Sequence, residues 1–170
     1  MGMEFMTKRL SVGQISEKDI PALMELLTDN TVKHTYMVPD FSSLAEVETS
    51  ARRLMDRSKD PERYMAGIFL QGDLIGIIHD VMQKEDTVEI GYALLPAYYN
   101  QGYCSEAFRG VIRWMWQQGF RKVIAGAFEE NKASIRVMEK CGMTLQPETE
   151  MIDYRGRQHC CVYYAVTGEN

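Results

Sequence analysis

The sequence predicts a mixed α/β fold, an α+β sheet protein in which about seven strands and about four helices share one domain. Three observations carry that reading. Strand-like segments recur along the chain, and two pairs of them are joined by short glycine turns that suit antiparallel hairpins, at Gln71-Gly72-Asp73 and Arg155-Gly156-Arg157. After Gly102 the apolar residues Phe108, Val111, Ile112 and Met115 recur at the spacing of one helix face. From Leu95 to Gly142 the order is turn, helix, short strand, helix, and each helix stops at a glycine, Gly119 or Gly142.

In chain order, residues 1–6 carry methionines at 1, 3 and 6 but no pattern, and are expected to be a flexible N-terminus ahead of a domain spanning 7–168. Lys8 to Ile15 alternates as a first strand. Ser16, with Asp19 in the next turn, opens a helix through Leu27 whose Ile20, Leu23, Met24 and Leu27 share a face. Thr28 to Phe41 is polar and irregular, and Ser42 or Ser43 caps a second helix reaching Lys59. Arg63 to Leu70 and Leu74 to Val81 form a hairpin, and Thr87 to Leu95 adds an antiparallel strand. Alternation puts Glu89, Gly91 and Ala93 on one face of that strand and Val88, Ile90 and Tyr92 on the other. Lys122 to Ala125 is a short β-branched strand; Thr144 to Tyr154 and His159 to Val166 close the chain as a hairpin.

A chain of 170 residues holds one core large enough to stand without disulfides or metal. Its formal charge of −5 argues against a nucleic-acid backbone partner and suits an amine-bearing one. No apolar run reaches the roughly 20 residues that span a bilayer, and the N-terminus lacks the order of a signal peptide, so a cytoplasmic protein with no membrane partner is expected. Cys104, Cys141, Cys160 and Cys161 form no C-x-x-C pair and no metal-ligand spacing with His34, His79 or His159, so reduced thiols and no metal are expected. His79 and His159 are expected to be structural or exposed.

Pro96 to Gly102 is a turn that feeds directly into a helix. The first N–H groups of a helix have no intrahelical acceptor, and the macrodipole adds about half a positive charge there, so a helix start of this kind suits a phosphate. Glycine at 102 would let that phosphate approach the backbone. An ordinary strand-to-helix connection fits the same residues. Glu89, a carboxylate in an apolar strand, is either a partly desolvated base or a solvent-facing side chain, and the residues alone leave both readings open.

Asn100-Gln-Gly-Tyr-Cys-Ser-Glu-Ala107 resembles the acyl-CoA-binding loop of the GNAT superfamily of N-acetyltransferases, and Asn131-x-x-Ser134-x-x-x-x-Glu139-Lys140-x-Gly142 resembles the motif that follows it there. The Gly-Tyr-x-Ser-Glu-Ala wording, with Glu89-Ile-Gly-Tyr92 upstream, is closest to the RimJ/RimL-type branch, and the likeness covers Val88 to Met143. What the resemblance implies is a single-domain fold of mostly antiparallel strands with a splayed central pair, acetyl-CoA as co-substrate, and direct transfer of its acetyl group to a primary amine. That amine is a protein N-terminal α-amino group or belongs to a small molecule. The diphosphate is expected on the amides of Asn100, Gln101, Gly102, Tyr103, Cys104 and Ser105. The pantetheine is expected along Ala93, Leu94 and Leu95, with Asn131 touching it or a bound water. Glu89 would be the general base, Ser134 would lie near the sulfur as the acid, and an amide near Leu94 or Leu95 would polarise the thioester oxygen.

Of three departures, one matters. Tyr99 replaces the commoner Arg or Gln and Cys104 the usual Gly or Ala, both mild changes; but Met138 stands where the family often carries a tyrosine that protonates the leaving thiolate. Met138 is what favours the rival reading, a non-catalytic acyl-CoA-binding sensor. A Rossmann-type enzyme lacks support because no G-x-G-x-x-G follows a strand. Glu106, in the first turn of the helix, is expected to cap it. A homodimer is compatible with the sequence, which carries no signal for it.

Overall fold

The computed structural model describes residues 2–168, and among them lie five α-helices and one sheet of eight strands. The strands are β1 Phe5–Met6, β2 Leu10–Gly13, β3 Met65–Leu70, β4 Asp73–Lys84, β5 Thr87–Leu94, β6 Lys122–Phe128, β7 Thr144–Tyr154 and β8 Arg157–Thr167. The helices are α1 Ile20–Thr28, α2 Asn30–Lys33, α3 Leu44–Arg57, α4 Tyr103–Gln117 and α5 Lys132–Lys140. Two compact units divide the chain: one comprises the residues up to His79 together with Tyr92–Gly110, the other Asp80–Gly91 together with the residues from Val111 on.

In the first unit β1, β2, β3 and β4 are neighbours in that order, each antiparallel to the next. The β3–β4 hairpin turns at Gln71 and Gly72, both with positive φ (51° and 89°), the combination whose twist matches that of paired strands. Ser16 starts the first helical segment as expected: its N–H and hydroxyl both donate to the Asp19 carboxylate at 2.8 Å. Leu23 and Leu26 of α1 are completely buried, in one cluster with Ala51 of α3, Met65 of β3 and Ile77 of β4. Ser43 caps α3 by accepting the Glu46 N–H.

Two elements exceed the sequence reading. α2 lies inside the stretch expected to be irregular, where the Asp29 carboxylate accepts the Val32 N–H at 2.9 Å and starts a single turn that buries Val32. β1 lies inside the segment expected to be loose. Met3 is buried, Phe5 and Met6 pair with Val12 and Ser11, and the Phe5 ring rests where a Cβ on Gly110 would have to go. Residues 3, 5 and 6 are thus packed or strand-paired within the segment expected to be loose; Met1 lies outside the described residues.

In the second unit the order is β5-β6-β8-β7. β5 and β6 run parallel, from Thr87↔Lys122 to Glu89↔Ile124, and that ladder stops there although β6 continues to Phe128. β8 is antiparallel to both β6 and β7. The β7–β8 hairpin turns through Arg155 and Gly156, again both at positive φ, and its register shifts between Leu145 and Thr149. Pro147 sits in that gap, where it has no N–H to give a ladder. The stripe predicted on α4 is buried at all four positions, Phe108, Val111, Ile112 and Met115.

Candidate active site

In the first unit, β5 gives way to a turn whose geometry is set by two left-handed residues. Leu95 donates its N–H to the Ile75 carbonyl at 2.8 Å, Pro96–Tyr98 makes one 3-10 turn, and the chain then passes Asn100 (φ 59°) and Gly102 (φ 78°) before α4 begins at Tyr103. Asparagine and glycine are the residues that adopt this conformation most readily. The Gly102 carbonyl accepts the Glu106 N–H at 3.0 Å and so closes the first helical turn. The N–H groups of Gly102 and Tyr103 meet no acceptor among the described residues. Asn100, Gln101 and Gly102 are exposed, Tyr103 and Cys104 half-buried, and Ser105 buried.

The strap between β1 and β2 lies against this turn. Glu106 accepts hydrogen bonds from the Thr7 hydroxyl, the Arg9 N–H and the Arg9 Nε, each at 2.7 Å. Burial pushes the Glu106 carboxyl up, but those donors outweigh it and hold it below the usual carboxylate range. The capping role expected for Glu106 is thus corrected: the carboxylate binds the strap. Arg9 also donates from Nη1 to the Gln101 carbonyl at 3.0 Å, and its guanidinium lies 4.4 Å from the centre of the Tyr103 ring.

In the second unit Glu89 is half-buried on β5, at the end of the parallel ladder. Burial raises its carboxyl above the usual range, and the charge of Glu150 on β7 adds to the shift. Tyr163 on β8 donates to the Glu150 carboxylate at 2.7 Å. The Tyr163 and Cys161 side chains both crowd Gly126 on β6, where a Cβ would come within 2.9 Å of the ring. Burial raises the Cys161 thiol, with the nearby carboxylates of Glu89 and Glu150 contributing. Asn131 caps α5 by accepting the Ser134 N–H at 3.1 Å, and both residues are half-buried. Met138 is fully buried on the same helix.

A model of the acetyltransferase (GNAT) domain matches residues 9–144, most of the chain. The protein belongs to the GNAT acetyltransferase family. The uncharacterized N-acetyltransferase YnaD of Bacillus subtilis (strain 168) is 30% identical over 145 residues, which cover 83% of this chain and 82% of that protein. A GNAT-family acetyltransferase from Bacillus anthracis shares the fold with a TM-score of 0.82 at 26% identity, over 97% of this chain and 98% of that one. The ribosomal alpha-N-protein acetyltransferase RimL, solved with coenzyme A, superposes with a TM-score of 0.84 at 20% identity, over 97% and 98% of the two chains, a likeness of fold alone.

Within this GNAT chain the first unit collects Ala93, Leu94 and Leu95, all buried, with the turn from Asn100 to Ser105, while Glu89, Asn131 and Ser134 belong to the second. One assignment narrows. Leu95 has given its N–H to Ile75 and is not a free donor for a thioester oxygen. The structure adds Arg9 beside the turn, and Glu150 and Tyr163 beside Glu89, to the residues expected from the sequence. His159 is buried: Nδ1 lies 2.5 Å from Glu130, Nε2 faces the Tyr154 carbonyl, and the ring stacks on Phe128, a structural role as predicted. His79 pairs with the Tyr36 hydroxyl at 2.8 Å, and burial pushes the Tyr36 phenol up to about 12 against the lowering effect of Arg57. A cavity of about 520 Å³ lined by Lys132, Arg136, Glu139, Leu145 and Tyr164 holds none of the expected residues.

Glu150→Gln tests the electrostatics around Glu89. Removing the neighbouring charge leaves burial as the main cause of the raised pKa, so the Glu89 carboxyl should titrate at lower pH, and with Glu89 as the base the acid limb of the pH–rate profile should move with it. An unmoved limb, read from kcat/KM across pH, would show that the two carboxylates do not feel each other.

Proposed function

We propose that this chain transfers the acetyl group of acetyl-CoA to a primary amine, with residues 7–168 acting as one catalytic domain of the RimJ/RimL-type branch. The observation that carries the reading is the uncommitted pair of amides at Gly102 and Tyr103, where a left-handed glycine leads into the first residue of a fifteen-residue helix. Such a turn asks for an anion. The amides from Asn100 to Ser105 take the diphosphate, and the backbone of Ala93 and Leu94 guides the pantetheine.

Bound acetyl-CoA supplies an activated thioester; what remains for the chain is to hold it, dispose of protons and polarise a carbonyl. Successive N–H groups on a strand point to opposite sides. Leu95 points its own toward β4, so the Leu94 amide points the other way and is the better oxyanion donor. Glu89, with its raised pKa, draws a proton from the incoming ammonium, directly or through water. It is needed because an α-amine of pKa about 8, or a lysine of about 10.4, is mostly protonated at neutral pH. Ser134 passes a proton to the departing sulfur, since Met138 has none to give.

Acetyl-CoA at 100 times its Kd should stabilise the fold by about 2.7 kcal/mol, visible as a rise in Tm. No rise at saturating acetyl-CoA would remove the basis of the reading. Thiol release with a panel of amines, from N-terminal peptides to small amines, then separates a transferase from a sensor that binds the cofactor without reacting.

A further inference from the structure

We propose that Arg9, from the strap between β1 and β2, is a phosphate-binding residue of the cofactor site and fixes the direction of the Gly102 amide. The inference rests on the acetyl-CoA reading above. It begins with a conflict inside that reading: Glu106 sits in the first turn of α4, where its negative charge would oppose an incoming diphosphate. Arg9 removes the conflict. Its Nε and backbone N–H bind the Glu106 carboxylate, which turns that charge toward the strap and neutralises it.

The rest of the guanidinium faces the turn. Nη1 holds the Gln101 carbonyl. In a trans peptide the carbonyl of one residue and the N–H of the next point in opposite directions, so fixing the Gln101 carbonyl aims the Gly102 N–H away from Arg9. Nη2 has no hydrogen-bond partner among the described residues, and it lies so close to Gly102 that a Cβ there would come within 3.3 Å of it. Stacking on Tyr103 keeps the plane in place, while the side chain stays 40% exposed. Two N–H donors of a fixed cation therefore border the same turn as two uncommitted amides. Their shared preference is for phosphate oxygen, which a planar guanidinium binds in a defined direction and an ammonium does not.

The test titrates coenzyme A and pantetheine, which lacks the phosphates, into the wild-type chain, Arg9→Gln and Glu106→Gln, with a thermal melt of each. Expected is a strong preference of the wild type for coenzyme A, narrowed about tenfold in Arg9→Gln through weaker coenzyme A binding alone. Glu106→Gln, which releases Arg9 without removing it, should keep most of that affinity. If the wild type binds both ligands alike, the phosphate reading of the turn fails and this inference with it. If the wild type prefers coenzyme A and Arg9→Gln does so undiminished, only the role of Arg9 falls. Equal losses in Arg9→Gln and Glu106→Gln, or a loss that extends to pantetheine, would reduce the strap to a structural clamp and overturn the phosphate contact.

Discussion

Glu89→Gln is expected to lower the rate of acetyl transfer by about 10²- to 10⁴-fold while leaving coenzyme A binding intact. The loss should appear in kcat, since the amide keeps the shape of the side chain and gives up only its basicity. In the wild type, activity should fall as pH drops through the pKa of Glu89, which burial and Glu150 place above the ordinary carboxylate range; the variant should lack that limb. Stability runs the other way. A carboxyl whose folded pKa is raised contributes stability that is fully present below its unfolded pKa and lost as pH rises through the folded value. At neutral pH the wild type carries that penalty and the glutamine variant does not, so Tm should hold or rise as activity collapses. A variant with wild-type kcat and an unchanged acid limb would assign the base elsewhere.

How much of this could be read from the sequence depends on how far apart the partners lie along the chain. The buried face of α4 was legible because Phe108, Val111, Ile112 and Met115 repeat with the period of the helix that buries them. The Asn100–Ser105 turn was legible for a related reason: the positive φ of Gly102 and the open amides are local properties of consecutive residues. β1 and α2 were not, since two residues of strand and four of helix are too short to show a period. Arg9 reads as a solvated charge until folding brings it to Glu106, a partner 97 positions away. The neighbours of Glu89 were hidden by register. Glu150 pairs with Cys161 of β8 after the shift between Leu145 and Thr149, and counting alternation along β7 from its start at Thr144 crosses that irregularity.

Gly76→Ala is expected to damage stability and cofactor binding together. A Cβ on Gly76 of β4 would sit 2.4 Å from the Ala93 carbonyl oxygen and 3.1 Å from the Leu94 Cα. The Leu94 side chain could turn aside, but these two are backbone atoms of β5, and only a displacement of the strand relieves them. The cost of such overpacking is about 1–3 kcal/mol, occasionally more, and here the upper end applies because no rotamer absorbs it. For a chain of this size that is a fall in Tm of about 5–10 °C. The displaced residues are the ones proposed to guide the pantetheine, and the Leu95–Ile75 hydrogen bond beside them would stretch. Coenzyme A affinity should therefore drop in the fraction that remains folded. Gly13→Ala on β2 is the matched control, with a side-chain carbon of Glu4 at an ordinary 3.6 Å as the nearest atom to the added methyl. It should leave both quantities nearly unchanged or stabilise slightly through the unfolded state. If Gly76→Ala melts and binds like the control, the close approach of β4 to the Ala93–Leu95 segment does not hold the cofactor strand in place.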